Sequence, residues 1–381
     1  MKKLFNIILL VFSLSLFLGC DKPPVTKSGL KVKVGVIAPL SGERSVMGKG
    51  ALKGIKIARE INSLLDNGDE IIFVVQDDEG KSTKAISALD HLVNKEKVSA
   101  ILLLSGSDST IAVAKVANKY KTPILATLAT NPETIKHSQY VSQLAFDDAT
   151  QALVAALFVR DELFIKKVAI FNNPDSVYSS YLAAEFKRQF ELLGGEITDF
   201  INLQEEGPTD FEKLITEVER KEPELLYLPV NAKATLAIAN ELNSYSWSPM
   251  AMVTDGMLSN VIEAHNGDLS LINGMLATDL YSNDMELSGY GEKMLEYIRN
   301  SDLDVTTHML TGIEGYGLLI NAINHCEAPY SRVCIQQEIR SPDGFMGISG
   351  NIIIDAKGKA DHTLFINTIE DGEMIIRVKV N

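Results

Sequence analysis

The sequence predicts an α/β protein made of two doubly wound, parallel-sheet lobes, and three features carry that expectation. Apolar runs of strand length alternate with segments whose apolar residues recur every three to four positions, the pattern of strand and amphipathic helix laid down in βα units. The alternation runs through four units up to Pro132 and restarts at Lys167, so it describes two similar lobes and not one large sheet. Several of the strand-like runs end in short oxygen-bearing residues and glycine, which suit the start of a following helix.

The first strand is residues 32–38, VKVGVIA; a Pro-Leu-Ser-Gly turn follows, then a helix with Ala51, Leu52, Ile55 and Ala58 on one face. A second strand, 71–76, ends in Asp77, Asp78, Glu79 and Gly80, and the next helix carries Ala85, Ile86, Leu89, Leu92 and Val93 at helical spacing. Two units of like grammar come next. Residues 101–104 run into SGSDST and a helix using Val113, Val116, Ala117 and Tyr120, and residues 124–126 run into TLATNP. If these two strands are parallel neighbours, their carboxyl ends set Ser107 and Thr130 side by side among unpaired helix N–H groups, a corner suited to an anion. The second lobe opens with strand 168–171 and a helix using Leu182, Phe186, Phe190 and Leu193 that stops at Gly194-Gly195. Strand 197–201, a helix with Phe211, Leu214, Ile215 and Val218, strand 225–228, a further helix and strand 250–254 complete it. Ligands of such sheets sit at strand carboxyl ends, so the cleft between the lobes is the expected site.

A chain of 381 residues is long enough for two cores, and its formal net charge of −14 argues against nucleic acid as a partner. Residues 1–19 read as a signal peptide: Lys2 and Lys3 give a positive start, and the apolar run 7–18 is short for a membrane span. Residues 20–30, CDKPPVTKSGL, read as a polar tether. LFLGC at 16–20 resembles a bacterial lipobox, in which Cys20 is lipidated and becomes the mature N-terminus, anchoring the protein to the membrane. By the same resemblance, Asp21 favours the inner membrane of a two-membrane host. A plain signal peptide with an incidental cysteine is the alternative. Cys326 and Cys334, eight apart in an exported chain, point to a local structural disulfide ahead of a reactive pair.

Motifs for chemistry fail on spacing. Gly48-Lys49-Gly50-Ala51-Leu52-Lys53-Gly54 has its last glycine one residue late for a dinucleotide fingerprint, and residues 42–50 are one too long for a phosphate loop and lack its Ser or Thr. Those glycines suit a tight turn and helix packing instead. Ser107 lacks the second glycine of a nucleophile elbow, and no histidine falls in a metal-ligand spacing. Asp77 and Asp78 fit a helix-capping or solvated role better than paired acid–base work. No enzymatic constellation is visible, and neither a cofactor nor a metal is expected.

The residues do carry a resemblance. VGVIAPLSGERSVMGKGALKGIKIAREIN, QDDEGKSTKA, the two hydroxyl-rich strand ends, NPDSVYSSY and the closing FMGISGNIIIDAKGKADHTLFINTIEDGEMI resemble the solute-binding proteins of branched-chain amino-acid type ABC transporters. The resemblance covers essentially everything after residue 30. It implies the type I periplasmic binding fold, with two lobes joined by three crossovers that close on one small solute.

By that resemblance Ser107 and Thr130 hold a ligand α-carboxylate, and the Leu128 carbonyl and Asp255 take its α-ammonium. Tyr178 closes over the ligand from the second lobe, while Met47 and Asn231 stand where relatives carry aromatic side-chain contacts. Hydroxyls and N–H groups at helix N-termini independently suit a carboxylate. Taken singly, each residue has a plain alternative as a cap, turn or surface group. The ligand implied is an amino acid or related small carboxylate whose side chain is not large and apolar. The crossovers are expected near Asp147, Ala277 and Asp361, which assigns 31–147 with 277–361 to lobe one and 148–276 with 362–381 to lobe two. The implied partners are ABC permease subunits and, through the lipid, the membrane. The implied working unit is a monomer in the periplasm. A binding lipoprotein feeding a sensor is the rival reading, and the absence of a helical DNA-binding module ahead of the first strand disfavours a transcriptional regulator.

Overall fold

The computed structural model describes residues 29–203, 209–264, 270–301, 303–370 and 373–380. The segments expected to be a signal peptide and a tether, with Cys20, lie outside the described residues up to residue 28. In the first lobe β1 (Lys31–Ala38), β2 (Glu70–Asp77), β3 (Ala100–Leu103), β4 (Ile124–Ala126) and β5 (Val141–Gln143) form one sheet in the order β2-β1-β3-β4-β5, with every pair parallel. Helices α1 (Ser45–Ile61), α2 (Ser82–Asn94), α3 (Ser107–Ala117) and the short α4 (Glu133–Lys136) connect these strands. The strands β1, β3, β4 and β5 are buried along most of their length, as parallel strands covered on both faces must be.

Helix α5 (Asp148–Leu157) then leads to β6 (Lys167–Asn172), α6 (Val177–Leu192), β7 (Glu196–Asn202), α7 (Phe211–Glu219), β8 (Leu225–Leu228), α8 (Ala232–Leu242), β9 (Met250–Val253), α9 (Met257–Ala264) and β10 (Leu276–Asp279). From β10 the chain returns to the first lobe as α10 (Gly289–Asn300), α11 (Thr307–Asn324), α12 (Arg332–Ile339) and a small sheet of β11 (Phe345–Met346), β12 (Asn351–Ile354) and β13 (Ala360–Asp361). It crosses once more to β14 (Leu364–Glu370) and β15 (Glu373–Val380), which complete a seven-stranded sheet ordered β15-β14-β10-β9-β8-β6-β7. Both late strands run antiparallel, β14 against β10 and β15 against β14, so strand–helix alternation does not reveal them. The chain leaves the second sheet after Asp279, two residues beyond the expected Ala277. Cys326 and Cys334 are joined by a disulfide between α11 and α12.

The GKGALKG run works by close approach. A Cβ built on Gly54 would lie 1.9 Å from the Met309 carbonyl oxygen, and one on Gly312 would lie 2.1 Å from that of Ala51. Backbones of α1 and α11 therefore touch at two points, which only glycine permits. Helix α11 is apolar on nearly every side and buried on nearly every side, so it forms the spine of the first lobe. Asp77 and Asp78 are structural: Asp77 accepts from the Leu40 amide (2.8 Å) and the Ser41 hydroxyl (2.7 Å), and buried Asp78 accepts from Ser105 (2.5 Å).

Where the chain makes its second and third crossings, a buried polar knot ties the strands to the spine. Glu314 of α11 accepts from the Tyr281 hydroxyl, from the Ile348 amide at 2.6 Å and from His362 Nε2 at 2.9 Å. His362 Nδ1 faces the Thr363 carbonyl at 2.9 Å, so both ring nitrogens meet acceptors and the ring is held as the doubly protonated cation. Burial alone would lower the His362 pKa, but the Glu314 charge and these hydrogen bonds reverse it to a raised value. A raised folded pKa stabilises the fold below the unfolded value of about 6.5, and the stabilisation fades as pH rises through the folded value. The unfolding free-energy gap between wild type and His362→Gln is therefore expected to be widest below about pH 6 and to narrow steadily toward pH 9 in urea titrations. A gap independent of pH would mean that His362 is neutral in the fold.

Candidate functional site

The cleft is built from strand ends. Parallel pairing of β3 and β4, with Leu103 opposite Ala126, brings the turns that follow them together. Gly106 is the N-cap of α3 and Ser107 its first residue, so this turn presents helix N–H groups at the cleft. The Ser107 hydroxyl accepts from the Asn131 amide at 3.3 Å, which places it against the second turn. Thr130 there is buried, and its hydroxyl lies beside the Asp148 carboxylate.

Acids gather next to this corner. Asp255, in the turn after β9, accepts through Oδ1 from the Tyr178 hydroxyl and from Gln151 Nε2, both at 2.6 Å. Gln151 in turn accepts from the Thr278 hydroxyl at 3.1 Å, which fixes its amide. Burial raises the Asp255 pKa, and the Tyr178 and Gln151 hydrogen bonds oppose that only in part. Asp148, the first residue of α5, is fully buried; its amide donates to the Thr130 carbonyl at 2.9 Å, and its carboxylate lies beside the Thr130 hydroxyl. Burial, then the negative charge of Asp255, pushes its pKa well above the usual carboxylate range, and the Thr130 hydroxyl beside it offsets only part of the rise. Asp279 lies behind Asp255: it accepts from the Leu280 amide at 2.7 Å and the Gly256 amide at 3.3 Å, and burial with the Asp255 charge brings it up to about 7. Among the described residues no lysine or arginine contributes to the shift of any of the three. The Tyr227 hydroxyl, buried and unpartnered, feels both Asp148 and Asp255.

The structure thus gathers Ser107, Thr130, Tyr178 and Asp255, and adds Asp148, Gln151 and Asp279. Leu128, Tyr178 and Asp255 are each half-buried. Met47 is half-buried as well, and its methyl group lies over Gly106, where a Cβ would be 3.8 Å away. Asn231 behaves differently. It is exposed, and its amide oxygen caps α8 by accepting from the Ala234 amide at 2.9 Å. Asp148 escapes sequence reasoning because an acid at a helix start reads as a cap, and its neighbour Asp147 is one, accepting from the Thr150 amide at 2.8 Å.

Two sets of contacts join the lobes around these groups. On one rim Val177, the first residue of α6, donates its amide to Asp108 of α3 at 3.1 Å, and Asn131 Nδ2 reaches the Val177 carbonyl at 3.4 Å. On the other, the Thr307 amide donates to the Ser259 hydroxyl and His308 Nε2 meets Asn260 Oδ1, both at 2.9 Å. The His308 ring also covers Gly256, where a Cβ would lie 2.6 Å from it, and burial lowers its pKa to about 4, so it is neutral here at pH 7. The molecule is in a closed arrangement.

With this geometry the chain can be set beside known proteins. A family model described as periplasmic binding protein matches residues 31–373. An amino acid binding protein of Pseudomonas aeruginosa is 24% identical over 326 residues, 85% of each chain. Among solved structures, a leucine binding protein LivK from Thermotoga maritima superposes with a TM-score of 0.83 at 26% identity, over 92% of this chain and 99% of that one. The branched-chain amino acid binding protein LivJ from Streptococcus pneumoniae, in complex with isoleucine, gives 0.82 at 20% identity over 92% and 98%. A Rhodopseudomonas palustris ABC transporter binding protein in complex with 3,4-dihydroxybenzoic acid gives 0.79 at 19% over 92% and 97%.

Proposed function

Because the chain belongs to the periplasmic binding protein family, a family of solute binders and not of enzymes, we propose that it captures an α-amino acid between its lobes and delivers it to an ABC permease. One observation carries the choice of ligand: two acids, Asp148 and Asp255, lie close together with no basic side chain contributing to either, directly beside the hydroxyl-bearing strand ends of Ser107 and Thr130. The α-carboxylate takes Ser107, Thr130 and the helix N–H groups; the α-ammonium lies between Asp148 and Asp255, with the Leu128 carbonyl as a further acceptor. Tyr178, already anchored on Asp255, covers it. Charge-assisted hydrogen bonds of about 1.5–3 kcal/mol each make several of them sufficient for tight capture.

Benzoates, which a structural neighbour binds, fit this cleft poorly. They bring no cation, and two neighbouring carboxylates with no basic side chain acting on either would repel them. Met47 is assigned to the side-chain end of the ligand, and Asn231, exposed and occupied as a cap, is not. The lobes, 31–147 with 280–361 and 148–279 with the strands from 364 onward, act as a hinged trap whose closed form alone touches the ligand from both sides. A signal peptide and a lipidated Cys20 tethering the protein outside the cytoplasm complete the reading. A thermal-shift screen against the standard amino acids and small aromatic acids is expected to find one amino acid that clearly stabilises the protein. Stabilisation by benzoates with none by amino acids would overturn the zwitterion reading.

A further inference from the structure

Asp108 follows Ser107 in α3 and uses both carboxylate oxygens away from the acid cluster. Oδ1 accepts from the Val177 amide of the other lobe at 3.1 Å, and Oδ2 pairs with Arg44 Nη1 at 3.0 Å. Its own backbone is held as well, since the Ser82 hydroxyl donates to its carbonyl oxygen at 3.1 Å. Val177 opens α6, so its amide is one of the donors that a helix leaves without an internal partner. Ser176 caps this helix locally, accepting from Ser179. Asp108 adds a second cap supplied across the cleft, and its negative charge lies at the positive end of the α6 dipole. Asn131 Nδ2, reaching the Val177 carbonyl, grips the same residue from the turn that follows β4.

The residue after Val177 is Tyr178, whose hydroxyl reaches Asp255. The residue before Asp108 is Ser107. A single side chain thus joins the peptide bearing the covering ring to the turn bearing the anion corner. We propose that Asp108 is the clasp of the closed state: it positions Tyr178 over the ligand without touching the ligand, and so sets how long a bound ligand stays. Arg44 is its brace, holding the carboxylate in the orientation that the Val177 amide needs. In the open form Asp108 keeps Arg44 and loses Val177, so the clasp adds stability only to the closed form. This inference rests on the proposed closure of the two lobes over a ligand, and it is independent of whether that ligand carries an ammonium group.

Asp108→Ala should raise the dissociation rate on the order of tenfold, the loss of one charge-assisted hydrogen bond, with the association rate nearly unchanged. Stopped-flow fluorescence measures both rates, using as probes the standard amino acids and benzoate. Asp108→Asn keeps an oxygen that accepts from Val177 and should fall between wild type and alanine, and the ligand-free melting temperature should stay close to that of wild type in both. If benzoate and not an amino acid binds, the zwitterion reading fails while the clasp still predicts faster release. An unchanged dissociation rate, or a loss in both rates accompanied by a lower ligand-free melting temperature, would overturn the clasp.

Discussion

Asp255→Ala is expected to weaken binding of an α-amino acid on the order of a hundredfold and binding of a simple carboxylate only a few-fold. Truncating one partner of a desolvated charge pair costs about 2–5 kcal/mol, and each 1.4 kcal/mol is a factor of ten. Asp148 moderates the loss, because it still offers a charge to the ammonium. Asp148→Asn separates the two roles. Asp148 is a fully buried carboxylate next to a second acid, and the Thr130 hydroxyl offsets its burial only in part, so neutralising it should stabilise the fold while weakening amino-acid binding. The sign with pH follows from its raised pKa. The folded form holds the Asp148 proton more tightly than the unfolded form, so wild-type stability falls as pH rises from about 4 through the folded value. The advantage of Asp148→Asn should therefore be absent near pH 4 and grow toward neutrality. Isothermal titration for affinity and urea unfolding for stability check both halves. Equal losses of amino acid and carboxylate on Asp255→Ala would remove Asp255 as the ammonium partner.

Gly54→Ala is expected to cost on the order of 3 kcal/mol or more, a large share of a typical total stability of about 5–15 kcal/mol. Helix propensity alone argues the opposite way, since alanine is favoured over glycine by about 1 kcal/mol inside a helix. The clash decides. A methyl group 1.9 Å from the Met309 carbonyl oxygen cannot be relieved by turning a side chain, because the obstacle is backbone. Helices α1 and α11 must separate, and the separation displaces Met47 at the start of α1 and His308 at the start of α11. Gly312→Ala, which meets the Ala51 carbonyl 2.1 Å away, should behave alike. Circular dichroism melts of both variants give the measurement, and a neutral or stabilising Gly54→Ala would show that the helices do not touch there.

The parallel sheets are legible in the chain because each strand is an apolar run and each helix shows one apolar face, signals contained within about twenty residues. The corner of Ser107 and Thr130 is legible for the same reason, since both follow neighbouring strands in one lobe. Glycines 48 to 54 can be read as packing residues from their failed motif spacing, and Gly48 does meet the nearby Pro39 turn, but the partner of Gly50 and Gly54, α11, lies more than 250 positions away and nothing local names it. Asp148 is hidden by its position. Nothing within α5 distinguishes it from the capping Asp147; only its burial beside Asp255, more than 100 positions on, marks it out. Asn231 shows the converse, a strand-end polar residue where the family resemblance suggests a ligand contact, whose amide oxygen caps its own helix. The antiparallel β14–β15 pair escapes the alternation because no helix separates its strands.

That final pair has a consequence for the order in which the protein can be completed. β14 covers the edge of β10, and α11 supplies the spine against which α1 packs. A chain emerging from its N-terminus therefore finishes neither half early: the first waits for residues past 307, and the second for the last strand. Until then each half exposes an unpaired sheet edge or an uncovered apolar helix face. Such a polypeptide stays unfinished, and so threadable, through most of its own synthesis.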